Sequence, residues 1–157
     1  MVTYLRRLGA AGAGEKATGD PNLGRMIYEG KGGCAVCHAV KEKGGRLGPD
    51  LTEVGLRRSL KFLRDSVTDP SSYIDRQYRS AVAVLPDGTQ VRGVVLNEDD
   101  YSIQLRDMRE ELRSFLKSDP TEIRMERESL MPAYKDALSE MELNGLVAYL
   151  SSLRGNE

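Results

Sequence analysis

The 157-residue chain has no tryptophan, two phenylalanines, one histidine and two cysteines. Each scarcity excludes something. The near-absence of Trp and Phe leaves the core short of large apolar plates. One His and two Cys fall short of the four N or S ligands of a closed zinc site. No apolar run approaches the roughly 20 residues needed to span a bilayer, so no transmembrane segment is expected. Arg6 and Arg7 interrupt the N-terminal apolar stretch too early for a signal-peptide core. A net charge of −1 lacks the basic excess of nucleic-acid binders, so no nucleic-acid partner is expected.

What is present is concentrated. Cys34-Ala35-Val36-Cys37-His38 holds both cysteines and the histidine. Cys-x-x-Cys-His is the attachment pattern for c-type haem. Two thiols add across the two porphyrin vinyl groups, and the residue after the second Cys lies under the iron, where a neutral imidazole binds through Nε2. A buried porphyrin also supplies the apolar plate that the aromatics do not. Three other readings compete. Zinc would need distant carboxylates or a second chain. A thiol redox pair needs a βαβ context, whereas Gly30-Lys31-Gly32-Gly33 and Lys41-Glu42-Lys43-Gly44-Gly45 read as loops. An inert pair of small core residues is the plainest.

Charge is uneven. From Lys31 to Arg64 bases outnumber acids eight to three, while acids predominate from Asn97 to Glu126. The basic stretch is either a solvated face or a collar that steers an acidic redox partner.

Along the chain, Asp20-Pro21 starts a helix through about Tyr28, with Leu23, Met26 and Ile27 as its apolar stripe. Gly48-Pro49-Asp50-Leu51 is a turn. Ser59 caps a helix to about Val67, and Asp69-Pro70 stops it. The period then becomes two. Strands are expected around Ala81–Leu85, Gln90–Leu96, Tyr101–Leu105, Leu112–Leu116 and Glu122–Met125. Pro86-Asp87-Gly88 marks a hairpin, and Gly93 a bulge. Ser139-Glu140-Met141-Glu142 forms a capping box for a last helix with Leu143, Leu146, Val147 and Leu150 inward. Val2-Thr3-Tyr4-Leu5-Arg6-Arg7-Leu8 echoes Val147-Ala148-Tyr149-Leu150-Ser151-Ser152-Leu153. Residues 1–19 therefore read as the tail of a preceding region plus a Gly/Ala linker, and the chain as a fragment of a longer redox protein.

If iron is held at His38, its other face needs a ligand, and no second histidine exists. Among the methionines, Met26 and Met141 lie in expected helices and read as core, and Met108 lies in a charged turn. Met131, in the loop segment Ser129-Leu130-Met131-Pro132 with Pro132 stiffening the backbone, is the strongest candidate, ahead of Met125.

With these residues in place, the chain resembles a class I cytochrome c. The order is an N-terminal helix, Cys34-x-x-Cys37-His38, Gly48-Pro49-Asp50-Leu51, a middle helix, a Met-Pro loop and a C-terminal helix with Leu-x-x-Tyr-Leu. The segment of about 79–126, with Asp87-Gly88-Thr89 and Gly93, is similar to that of a haem-binding domain at the C-terminus of large predicted dehydrogenases. The resemblance implies one covalently attached haem c with its iron. It makes Cys34 and Cys37 the thioether carriers, His38 and Met131 the axial ligands, and the Pro49 carbonyl the acceptor of the His38 Nδ1–H bond. It also brings Gly24 and Tyr28 of the first helix against Leu146 and Tyr149 of the last. The expected fold is a mainly α cytochrome c core over 20–157, three to five helices around haem, with an inserted antiparallel β-meander of four or five strands at about 79–126. The expected function is electron transfer, not catalysis, in the periplasm or otherwise outside the cytoplasm, with redox proteins or a fused dehydrogenase domain as partners. The alternative is a haem-based ligand sensor or peroxidase-like centre with a labile distal site. The sheet either covers one side of the haem or binds a partner protein.

Overall fold

A computed structural model describes residues 16–155. The Val-x-Tyr-Leu-x-x-Leu copy at the N-terminus and most of the 1–19 linker lie outside the described residues. The chain forms two compact units. One contains the residues up to Gly45, Pro49–Asp69 and those from Ala133; the other contains Arg46–Gly48 and Pro70–Pro132.

The first unit is helical. Helix α1 (Pro21–Glu29) begins where Asp20 Oδ1 accepts the Asn22 N–H at 2.9 Å, with Pro21 in the first turn. Its partner is the last helix, α4 (Glu140–Ser152). The Ser139 hydroxyl and the Glu142 carboxylate exchange hydrogen bonds with each other's backbone N–H, as the capping box requires. The two helices touch through glycine. A Cβ on Gly24 would lie 2.0 Å from the Gly145 carbonyl oxygen and 2.7 Å from Tyr149 Cβ. The expected meeting of Gly24 with α4 therefore occurs at Gly145 and Tyr149. One turn on, the Tyr28 and Tyr149 rings stand 5.5 Å apart, tilted by 54°. Leu143, Leu146, Val147, Ala148 and Leu150 bury the rest of α4. Met26 and Met141, expected in the core, are each 71% exposed instead.

Gly24→Ala is expected to destabilise this unit by about 1–3 kcal/mol, the usual cost of overpacking. The added methyl meets backbone, which cannot rotate away. Urea unfolding with a lower midpoint and an unchanged slope would be the result; an unchanged midpoint would show that the helices separate freely.

Between these helices lie α2 (Val54–Arg57) and α3 (Leu60–Thr68). Ser59 caps α3 through the Phe62 N–H. Arg64 on α3 donates to Asn144 Oδ1 at 2.8 Å and pairs with Glu140, both on α4 or its first turn. The four-residue α2 has no sequence signal of its own. It is held from outside, by the Gly55 N–H donating to the Leu153 carbonyl at 2.9 Å.

The second unit is a five-stranded antiparallel sheet. Its strands are β3 (Ser80–Val84), β4 (Gln90–Glu98), β5 (Ser102–Asp107), β6 (Leu112–Leu116) and β7 (Glu122–Met125). (The first unit holds two short strands, Ala39–Val40 as β1 and Lys43–Gly44 as β2.) The alternation read from the sequence sets the faces: Ala81, Ala83, Val95, Ile103 and Leu105 form one buried cluster, with Phe115 and Ile123 packed against it. The spatial order is β6-β5-β4-β3-β7. The last strand returns to the first, pairing Ala81 with Met125 and Val84 with Glu122, so the sheet is not a simple meander. The bulge falls at Leu96, between Val95 and Asn97, rather than at Gly93. Gly93 serves a close approach instead, since a Cβ there would lie 2.2 Å from the Arg106 carbonyl oxygen.

This sheet corrects the expected fold class. The chain is not mainly α. The described residues contain four helices, one of them a single turn, and a five-stranded sheet with a core of its own. The physical reason is the period-2 burial of β5, where Ile103, Leu105 and Asp107 are buried and the residues between them are not. Such a pattern closes its own apolar face and makes an independent layer.

Candidate functional site

The pentapeptide of Cys34 to His38 follows α1 directly. The Gly32 N–H bonds back to the Ile27 carbonyl at 2.8 Å, and Gly33 turns the chain with φ of +60°. Cys34–Val36 then form one 3₁₀ turn. The Cys34 carbonyl accepts both the Cys37 N–H at 3.1 Å and the His38 N–H at 2.9 Å. Three chemically active side chains are thus fixed on a backbone hydrogen-bonded to itself.

The segment after His38 reads as loop in the sequence but forms a two-stranded ribbon, β1 (Ala39–Val40) with β2 (Lys43–Gly44). Lys41 and Glu42 occupy its turn with φ of 50° and 65°. A two-residue hairpin of type I′ demands positive φ at both central positions, and here two non-glycine residues adopt it. The surroundings hold them there: the Lys41 N–H donates to Thr52 Oγ1 at 2.7 Å, the Gly45 N–H to the Ala35 carbonyl at 2.9 Å and the Leu51 N–H to the Ala39 carbonyl at 2.8 Å. The last of these bonds ties the Gly48-Pro49-Asp50-Leu51 turn to the residue after His38.

That turn sets the histidine. His38 Nδ1 lies 2.9 Å from the Pro49 carbonyl oxygen. A carbonyl only accepts, so Nδ1 carries the proton and the Nε2 lone pair is left to bind a metal. Burial pushes the imidazole below its ordinary pKa, against the opposing effect of the Pro49 bond. The ring is therefore neutral at physiological pH, the ligating form. Burial likewise pushes the Cys34 thiol up. Cys34 and Cys37 are half-buried and form no disulfide.

Two tyrosines close the backbone around these groups. The Tyr28 hydroxyl donates to the His38 carbonyl at 2.8 Å, and the Tyr134 hydroxyl donates to the Gly32 carbonyl. Burial raises the Tyr134 pKa, with smaller contributions from Cys34 and Cys37. The Tyr134 N–H in turn bonds the Val67 carbonyl at 3.0 Å. The tyrosine roles were missed in the sequence. A tyrosine two residues after a Met-Pro pair was the available signal, but its partner is a carbonyl 102 positions away.

A surface lock holds the same region to α4. Lys31 Nζ sits 2.8 Å from Glu142 Oε1. The Lys31 bond and the capping-box bonds from Ser139 hold the Glu142 carboxyl down to about 2. A depressed carboxylate stabilises the fold fully above its unfolded pKa and loses that contribution as pH falls through the folded value. Urea midpoints are therefore expected to fall between about pH 4.5 and about pH 2. Glu142→Gln should be less stable at neutral pH and flatter across that window. Parallel curves for the two proteins would remove Glu142 from the account.

Cys34, Cys37, His38 and Pro49 thus come together in the first unit. Met131, the other expected ligand, belongs to the second, two positions before the chain re-enters the first at Ala133. It is half-buried, and its N–H donates to Ser129 Oγ at 3.1 Å. Ser129 is itself held through its N–H to Ser71 Oγ at 3.0 Å. Met125, the runner-up, ends β7 paired with Ala81.

This donor set fits a covalent porphyrin better than its rivals. Two thiols kept apart on one turn, followed by an imidazole presenting Nε2, match two vinyl carbons and one iron. Among the described residues no three His, Cys, Asp or Glu side chains gather to hold a metal ion by themselves, which removes the ground for a zinc site. The strands beside the cysteines are an antiparallel ribbon of two residues each, not a βαβ unit.

Comparison with known proteins agrees with the geometry. A family model described as cytochrome c matches residues 21–102, about half of the chain, spanning α1, the cysteines, His38 and Pro49. A search of curated proteins finds no match.

Proposed function

The chain belongs to the cytochrome c family, which carries covalently attached haem, and on that premise we propose that it is a monohaem electron carrier with His38 and Met131 as axial ligands. When bound, the haem supplies a one-electron couple between Fe(II) and Fe(III). Cys34 and Cys37 would hold it through their thiols, one to each vinyl group. His38 presents Nε2, and the Pro49 carbonyl fixes the tautomer and plane of that ring. Met131 supplies a thioether, which raises the potential relative to an imidazole. These roles are those of an electron carrier.

The observation that carries this reading is the 2.9 Å bond from His38 Nδ1 to Pro49, made on the same turn as two unbridged thiols. Support for Met131 is that its segment is fixed on both sides, by Ser129 on Ser71 before it and by Tyr134 on Val67 after it. A ligand that must survive a change of iron charge gains from such a fixed backbone.

We place the protein outside the cytoplasm, where haem of this kind is assembled, as part of a larger redox protein of the dehydrogenase-fused group. Its partners are a neighbouring dehydrogenase domain or separate redox proteins, met through a small weak interface. No helix among the described residues is long and apolar enough to cross a membrane.

The test is a pyridine haemochrome spectrum of the protein made in a host that assembles c-type cytochromes. One haem per chain with both vinyl groups saturated is the expected result. Haem that extracts into acidified organic solvent would overturn the proposal.

A further inference from the structure

The sheet unit holds a cavity of about 700 Å³ whose lining has nothing to do with the cysteines. Four arginines line it: Arg46, Arg76, Arg79 and Arg106. They come from three stretches of chain: the Arg46–Gly48 segment, the 3₁₀ turn Arg76–Tyr78 with Arg79 right after it, and the end of β5. None forms an ion pair among the described residues. Elsewhere in the same unit Arg92, Arg113 and Arg124 each take a carboxylate, so acids are within reach of this sheet and the cavity arginines go without.

The bonds these arginines do make leave most of their donors unused. Arg106 Nη1 donates to the Arg46 carbonyl at 2.9 Å, and Arg79 Nε to the Arg76 carbonyl at 3.3 Å. Both bonds are to neutral carbonyls, which orient a guanidinium without cancelling its charge. The Arg46 backbone is also held on its other side, its N–H donating to Glu110 Oε1 at 2.6 Å. Two carboxylates line the cavity as well. Glu98 is already matched by Lys117 Nζ at 2.9 Å, and Asp75 Oδ1 accepts the Gln77 N–H at 3.1 Å. A clear positive excess remains.

We propose that this cavity binds a small multivalent anion, one bearing two or more carboxylate or phosphate groups. Guanidinium forks match both groups with paired N–H donors. Four of them facing one concavity repel one another until an anion arrives, so a ligand with several negative groups gains more than a monovalent one. The volume is that of a small-molecule site. The recessed Val94 and Val95 give the ligand's carbon skeleton a floor.

The experiment is isothermal titration of the haem-loaded full chain with citrate and, separately, with pyrophosphate, at low and physiological salt. Saturable one-to-one binding of at least one probe is expected. Arg76→Gln, at an exposed residue whose side chain makes no ion pair among the described residues, should weaken it at least tenfold. Arg46→Gln should do the same. Lys43→Gln, a charge removed from the other unit, should leave it unchanged. Far-UV circular dichroism checks that each variant is folded. No saturation by either probe would overturn the proposal. So would equal weakening by Lys43→Gln, which would reduce the effect to overall charge, or binding of a polyglutamate peptide with no response to citrate or pyrophosphate.

Discussion

Replacing both Cys34 and Cys37 with alanine is expected to abolish covalent haem altogether. Each thiol makes one bond to the porphyrin, and these are the only two cysteines, so no other residue can substitute. Denaturing electrophoresis stained for haem should show a strong band for the native chain and none for the double variant. Cys34→Ala alone should keep one thioether, and its haemochrome band should shift to longer wavelength because one vinyl group stays conjugated. The loss extends to folding. A porphyrin would add a large apolar surface beside the cysteine turn that follows α1. The double variant should therefore melt at a much lower temperature than the loaded protein. Covalent haem in the double variant would sink the assignment outright.

Met131→Ala is expected to have the second-largest effect, and on a different observable. Haem should remain attached, since His38 and both cysteines are untouched. The long-wavelength absorption band that marks a ferric iron–thioether bond should vanish. The potential should fall by an amount on the order of 0.1 V, well within the roughly 0.8 V over which axial ligands move haem proteins. Met125→Ala should leave both unchanged. The contrast is informative because the bond from the Met131 N–H to Ser129 is made by backbone and survives the substitution. A persisting band in Met131→Ala would mean that another group holds the sixth position. A band lost in Met125→Ala would transfer the role to that residue.

Much of this molecule could be read from local pattern, and the exceptions share a cause. Asp20-Pro21, Ser59 and the Ser139–Glu142 capping box mark three helix starts because capping is chemistry between residues two or three apart. The strand spans were legible for the same reason, since buried Ile103 and Leu105 alternate with half-buried polar neighbours. The failures are non-local. α2 exists because Gly55 bonds Leu153, about a hundred residues on. The turn at Lys41 and Glu42 has the wrong residue types for its backbone and depends on Thr52. β7 pairs with β3 rather than with its neighbour in sequence. Alternation shows that the strands exist, but that their apolar side chains form a core of their own depends on pairings between distant residues. At the site, His38 and its Pro49 partner are eleven residues apart and were legible. Tyr134 on Gly32 was not, because nothing in a lone tyrosine names its acceptor.

The division of the chain has a consequence for anyone wishing to transplant the sheet. It is discontinuous in sequence: Arg46–Gly48 belongs to it, although Gly45 before and Pro49 after belong to the helical unit. Arg46 gives its N–H to Glu110 and its carbonyl to Arg106, so it is stitched to β5 and to the turn after β5, about sixty positions away. Excising 70–132 as a cassette would strip both ends of that stitch, leaving a frayed patch on the donor and an orphaned arginine and glutamate on the graft. The boundary that a protein engineer would draw by eye is thus the wrong one. A portable version has to carry a tripeptide from the very turn that holds Pro49, and cannot be lifted out without a second cut beside His38's partner.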